Sequence, residues 1–327
     1  MTRAKRLALS IGVIVLLAVA STFIGAAQMD LSDPRGMMVL TVSRIPRTLA
    51  ALLTGAALAV AGVVMQQIVR NRFVEPGTAG TAESAALGLL VITLVMPTAP
   101  IWAKMVAASV AALAGTWVFV HMIRRLPPRE VLLVPLAGIV LSGVIGAAVT
   151  WIGWQADMMQ YIATWLMSGE FSGVISGRYE LLWIAAIAAA IAFFAADRFA
   201  ILGLGPEAAT ALGLSPRAVM RLGLTVVAVV TAMVVVSVGM IPFVGLVVPN
   251  IAARVVGDNL RRSLPLVAMG GAGLVLACDI IGRLVIAPYE IPAGTILGVV
   301  GALVFLWLLW KPARPARRKT LPEQVDV

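Results

Sequence analysis

Residues 197–221 read DRFAILGLGPEAATALGLSPRAVMR and separate two long apolar runs. A stretch so placed belongs in water at a membrane face, and its reading decides where the segments on either side begin and end. Gly205 precedes Pro206, which suits the first helical position, and Glu207 favours the positive end of the helix dipole. Ala208, Ala209, Ala211 and Leu212 are good helix formers, and Gly213 supplies a left-handed stop. Ser215-Pro216 is a second start signal, an N-cap residue followed by proline in the first turn. A helix between Gly205 and Gly213 has about two turns, too few to be stable alone in water, so it must dock against something. Its exposed side is expected to be alanine and leucine rather than charge. Two readings follow from local features: a docking knob for a soluble partner, or a connector packed on its own bundle.

Outward from this stretch the chain is dominated by apolar residues. Of its 327 residues 61% are hydrophobic and 12% charged, and the mean hydropathy is +1.02. A spanning helix takes ~20 apolar residues, so the chain has room for roughly ten spans and for no soluble catalytic or nucleotide-binding domain. No glycine-rich phosphate loop followed by Lys-Ser/Thr is present. The expected spans are 7–27, 48–69, 78–96, 101–122, 131–153, 181–196, 218–238, 241–256, 264–286 and 293–310, of which 241–256 is short and interrupted. The first follows Arg3, Lys5 and Arg6 and is longer than a signal-peptide core, so it reads as an uncleaved span.

The net charge of +10 is unevenly distributed. With the N-terminus placed in the cytoplasm, 19 of the 25 Lys and Arg residues fall on the cytoplasmic side; Arg35, Arg44, Arg47, Lys104, Arg178 and Arg283 fall outside. This asymmetry implies ten spans with both termini in the cytoplasm, as in a multi-pass protein of the cell inner membrane. The expectation is an all-α polytopic membrane protein, a single transmembrane domain over 1–327. Residues 197–221 form a cytoplasmic loop in it, and the basic, then polar, 311–327 a cytoplasmic tail.

Small residues recur at helix-packing spacing: Gly55, Ala59 and Gly62; Gly138, Ser142 and Gly146; Gly294 and Gly298. Pro135, Pro242, Pro249 and Pro292 mark kinks or breaks. One cysteine, Cys278, and one histidine, His121, leave no internal disulfide and no His or thiolate metal cluster. No catalytic nucleophile or base pair is visible, so an enzyme is not expected. Asp279 and Arg283, four residues apart, can pair on one helix face near the outer end of a span. Glu83 lies early in its span, as a cap or in a wet cavity, whereas Lys104, His121 and Asp197 sit at span ends facing water. No string of carboxylates crosses the membrane, which suits a bulky, already wrapped solute better than a bare ion. Arg44 and Arg47 bracket a proline in RIPR outside the second span. There a guanidinium either receives a partner's carboxylate or anchors to lipid headgroups, and charge alone leaves both readings open.

Four stretches occur in a fixed order: RIPRTLAALLTGAALAVAGVVMQQIVRN (44–71), LGLGPEAATALGLSP (202–216), GMIPFVGLVVPNIAARVVGDNLRRSLP (239–265) and YEIPAGTILGVVGALVFLWLL (289–309). In these the chain resembles the permease subunits of type II ABC importers, the FecCD-like iron–siderophore and cobalamin permease family. The resemblance implies two ten-span permeases around a central pathway, two ATP-binding subunits below and a periplasmic substrate-binding protein above. It implies ATPase coupling through Gly205, Pro206, Glu207, Ala208, Ala209, Leu212 and Gly213, and binding-protein docking through Arg44 and Arg47, with Arg283 in IIGRL as a third. ATP is then used by the partner ATPase, and this subunit binds no cofactor.

The family's Asn-Pro-Leu-Ala-x-Pro is Asn71-Arg72-Phe73-Val74-Glu75-Pro76 here, and its Val-Pro-His is Val248-Pro249-Asn250. With GDNLRRSLP, these variants are similar to the branch handling catecholate siderophores of the petrobactin type. The expected cargo is therefore a ferric siderophore, and the expected partner permease a different chain, giving a heterodimer. Haem or cobalamin import is the rival within the class. An ion-coupled secondary transporter is the rival outside it, with only Asp279 and Glu83 as carboxylates for its path.

Overall fold

A computed structural model describes residues 3–25, 34–123, 125, 133–163, 169–177, 179–257 and 259–310; the 311–327 tail lies outside them. Helix is the only regular structure among the described residues. The helices are α1 (Arg3–Phe23), α2 (Pro34–Val39), α3 (Ile45–Val69), α4 (Thr81–Val95), α5 (Ile101–Ile123), α6 (Leu133–Gln155) and α7 (Met159–Tyr161). They continue as α8 (Leu181–Phe194), α9 (Ala196–Gly203), α10 (Pro206–Ala211), α11 (Pro216–Val238), α12 (Val244–Val256), α13 (Leu260–Leu284) and α14 (Ala293–Trp310). A π-helical turn, Leu40–Arg44, joins α2 to α3.

Each of the ten expected spans is occupied by a helix, but three are not simple full-length spans. Seven helical runs are long and apolar enough to cross a bilayer, counting Gly36–Val69 as one. The α8–α9 pair passes the same test jointly but bends by 64°. The bend falls at Ala195, so the stretch from 197 is helical before the loop begins. α4 and α12 are shorter, at 15 and 13 residues. α4 begins late because Pro76, Gly77 and a left-handed Gly80 precede it. α12 begins late because Gly239 and Phe243 both take positive φ after α11 ends.

α3 is the axis of the bundle and is buried over most of its length. Its Ala, Gly and Val residues let neighbouring backbones approach, the only way to gain close dispersion contact where lipid offers no hydrophobic drive. A Cβ on Gly55 would collide with the carbonyl of Gly271 on α13, and one on Gly62 with the carbonyl of Gly245 on α12. Gly138 is packed as tightly, on the carbonyl of Thr78 in the α3–α4 connection. Gly146 and Gly298 face open space, so the 294/298 pair is not a seam within this chain.

Side-chain bonds tie the helix ends together. Arg6 donates to the Val255 carbonyl at 2.7 Å, Arg254 to the Leu308 carbonyl at 3.0 Å, and Arg261 pairs with Asp197. The starts of α1, α9 and α13 therefore share one end of the bundle with the ends of α12 and α14. At the other end the last turn of α1, the start of α3 and the end of α13 converge, held by Arg44, Arg47 and Arg283.

Candidate functional site

α10 stands at the first of these ends as a short rigid projection. Gly205 precedes it at φ +119°, a conformation that side chains avoid, and Pro206 occupies its first position. It closes with a Schellman arrangement: Leu214 N–H donates to Ala209 O and Gly213 N–H to Thr210 O, both at 2.9 Å, with Gly213 at φ +78°. Ser215 has an extended N-cap backbone before α11, but its side chain makes no capping bond, so Pro216 alone carries that start signal.

The exposed face of α10 matches the expected one at Ala211 and Leu212 but not at Ala208 and Ala209. Ala209 is fully buried, turned into the chain's own body, and Ala208 is half-buried. Leu204, Ala211 and Leu212 are the apolar residues on the exposed side, the two leucines at 70% and 61% exposure, beside exposed Pro206, Glu207, Thr210 and Gly213. The physical reason is helix periodicity. Six residues have one inner face, and burying Ala209 there sets the short helix at a fixed angle on the bundle.

At the opposite end the three arginines expected to face outward turn inward. Arg44 donates to the carbonyls of Thr22 and Phe23 at 3.0 and 3.1 Å. Arg283 donates to those of Ser21 and Ile24 at 2.8 and 2.7 Å, and to the Ser21 hydroxyl at 2.6 Å. A helix leaves its last four carbonyls unbonded, and here two cations satisfy those of α1 at the negative end of its dipole.

Arg47 closes an ion network. Its Nη2 lies 2.8 Å from Asp279 Oδ1 and 2.8 Å from Glu290 Oε2, while Arg283 Nη2 lies 2.8 Å from Asp279 Oδ2. Two cations and two carboxylates balance, as burial of charge demands. The Arg47 side chain keeps 13% exposure and Glu290 25%, whereas Arg283 and Asp279 are almost sealed. The sequence marked the Asp279–Arg283 spacing but not Glu290, whose only signal is a carboxylate between an apolar run and Ile-Pro.

Other ionisable groups are dispersed. His121 stacks on Trp117 and meets Arg125 Nη2 at 3.1 Å. Glu83 faces the Ser142 hydroxyl at 3.4 Å, and Lys104 borders a cavity of about 530 Å³ with Tyr161 and Ser237. Glu75, unmarked by sequence except as part of a motif variant, is buried and accepts from the Phe243 N–H at 2.8 Å. Among the described residues no group of three His, Cys, Asp or Glu side chains could hold a metal ion.

The chain as a whole has relatives along nearly its full length. The petrobactin import system permease protein FatD of Bacillus anthracis is 40% identical over 313 residues, covering 96% of this chain and 93% of that protein. The ferric-anguibactin transport system permease protein FatD of Vibrio anguillarum is 38% identical, covering 91% and 96%. A solved metal-chelate type ABC transporter in an inward-facing conformation superposes with a TM-score of 0.80 at 25% identity, covering 95% of this chain and all of that one. The profile of the FecCD transport family matches residues 7–311, and this multi-pass membrane protein therefore belongs to the FecCD transport family.

Proposed function

We propose that this chain is the permease subunit of an ABC importer that moves a ferric siderophore across the cell inner membrane, with both termini in the cytoplasm. The observation that carries the reading is similarity over nearly the full length to permeases named for petrobactin and for ferric-anguibactin. The chain forms its pathway with a second permease of the same family, in a heterodimer. ATP is bound and hydrolysed by two partner ATPase subunits, and the cargo arrives on a periplasmic binding protein.

In this reading α10 is the element that the ATPase moves. Ala209 locks it to the permease body, and Leu204, Leu212 and Thr210 are the groups a partner groove would cover. The helix starts on Pro206 and is closed by the Schellman bonds at Gly213, so a push turns it as a unit rather than fraying it. The binding protein docks at the end holding the ion network, where Arg47 is the arginine reached from solvent. Arg44 and Arg283 support that contact by holding the end of α1 beneath it.

The test is reconstitution of the permease pair with its ATPase and binding protein in liposomes. Iron-loaded petrobactin should accumulate only with ATP inside and binding protein outside. Accumulation without the ATPase, driven by an ion gradient, would favour a secondary transporter instead.

A further inference from the structure

The chain between α3 and α4, residues 70–80, does not run over the surface as a connection usually does. At its start the Arg70 guanidinium lies beside Gly205, and the Gln67 side chain on the preceding turn presses on Gly203, so it begins at the root of α10. It then passes into the bundle. Asn250 of α12 donates to the Arg72 carbonyl at 2.8 Å, and the Phe73 ring meets Phe305 of α14 edge-on at 5.9 Å. Ser142 of α6 donates to the Gly77 carbonyl at 3.0 Å, and Gly138, one turn earlier on the same helix face, packs on the carbonyl of the next residue, Thr78. One strap of chain thus touches the root of α10 and three helices that otherwise lie far apart in sequence.

Its innermost bond is that of Glu75. α12 has 13 residues, about 20 Å of helix, and its last turn is at the end of the bundle where Arg6 binds Val255. The hydrocarbon core is ~30 Å thick, so α12 starts inside it. A helix start leaves several N–H groups without partners, and no water is available there to satisfy them. The N-cap residue is Phe243, at φ +66°, with no side chain able to accept a bond. Glu75, 168 residues away and 4% exposed, supplies the acceptor: Oε1 takes the Phe243 N–H at 2.8 Å, and Oε2 lies beside Gly245. The cap of this broken helix is therefore borrowed from the strap.

We propose that Glu75 is the positioning residue that pins the start of α12 to the 70–80 strap, so that movement at the root of α10 is carried to α12, α14 and α6. This rests on the importer reading above, in which α10 is what the ATPase moves. Without the pin, α12 would keep its length but lose its fixed start, and a push on the strap would be absorbed locally.

The experiment uses the full complex of permease pair, ATPase and binding protein, with Glu75→Ala, Glu75→Gln and Asn250→Ala. Amide hydrogen exchange over residues 243–247 should rise about tenfold in Glu75→Ala, the scale of a lost N-cap. It should return towards wild type in Glu75→Gln, whose amide oxygen still accepts from Phe243. Iron taken up per ATP hydrolysed should fall in Glu75→Ala with the ATPase still co-purifying, and recover in Glu75→Gln. Unchanged exchange, or unchanged uptake per ATP, in Glu75→Ala overturns the proposal, as does a Glu75→Gln variant as impaired as the alanine. Asn250→Ala cuts the separate tie to the Arg72 carbonyl but leaves the Glu75 cap, so it should keep wild-type exchange at 243–247; raised exchange there would contradict Glu75 as the pin, also where Glu75→Ala does not assemble. Uptake by the wild-type complex without its ATPase would count against the importer reading alone, since the exchange readout needs no transport.

Discussion

Arg47 of α3 and Asp279 of α13 meet at 2.8 Å, and Arg283 takes the other carboxylate oxygen at the same distance. One buried carboxylate thus holds two guanidiniums apart at the end of the bundle where α1, α3 and α13 converge. Removing it leaves two cations facing each other in a nearly dry site. Asp279→Ala should destabilise the solubilised permease by about 3–5 kcal/mol, the cost of orphaning a buried charge. Glu290 meets the same Arg47 but is a quarter exposed, so Glu290→Gln should cost no more than about 1 kcal/mol. Denaturant unfolding followed by tryptophan fluorescence separates the two; equal losses would mean that the network is not organised around Asp279.

The α3–α13 seam gives a second contrast. Gly55 has the Gly271 carbonyl where a Cβ would stand, whereas Gly298 has open space. Gly55→Ala should cost about 1–3 kcal/mol through forced separation of the two backbones, and Gly298→Ala should be close to neutral. The same unfolding measurement checks both, and a tolerated Gly55→Ala would show that the two helices slide apart without penalty.

Orientation is tested with single cysteines. Thr98, on the α4–α5 connection, and Thr210, on α10, are both exposed, and the native Cys278 is buried and should stay silent. A membrane-impermeant maleimide should label Thr98→Cys in intact cells and Thr210→Cys only after permeabilisation. Labelling of Thr210→Cys in intact cells would reverse the proposed topology.

Much of this fold was legible because hydrocarbon imposes a length of ~20 apolar residues on any span, a constraint the sequence cannot conceal. The broken segments were less so. α12 and the start of α4 depend on Phe243 and Gly80 taking positive φ, and on partners elsewhere in the chain. Of the site residues, α10 was legible from Gly205, Pro206 and Gly213, which act through local backbone geometry. Which way Ala209 points was not, because burial is set by α9 and α11 packing beside it. Arg44, Arg47 and Arg283 were legible as cations sharing one end of the bundle. Their partners were not, because Arg47 and Asp279 are 232 residues apart and the α1 carbonyls carry no side-chain signal. Glu75 showed only as the unrestricted position of a variant motif, because the helix it caps begins 168 residues away.

In the proposed importer α10 passes the work of ATP hydrolysis to the permease through its exposed face. Leu212 is 61% exposed, so Leu212→Asp should leave the permease folded while placing a carboxylate where an apolar partner groove closes. Desolvating it there costs several kcal/mol. The direct measurement is ATP-driven, binding-protein-dependent uptake of the iron-loaded siderophore in proteoliposomes carrying the Leu212→Asp complex. Uptake should fall at least tenfold with binding-protein docking retained, the fold-change expected of more than about 1.4 kcal/mol at the contact. Wild-type uptake in this variant would contradict that role of α10.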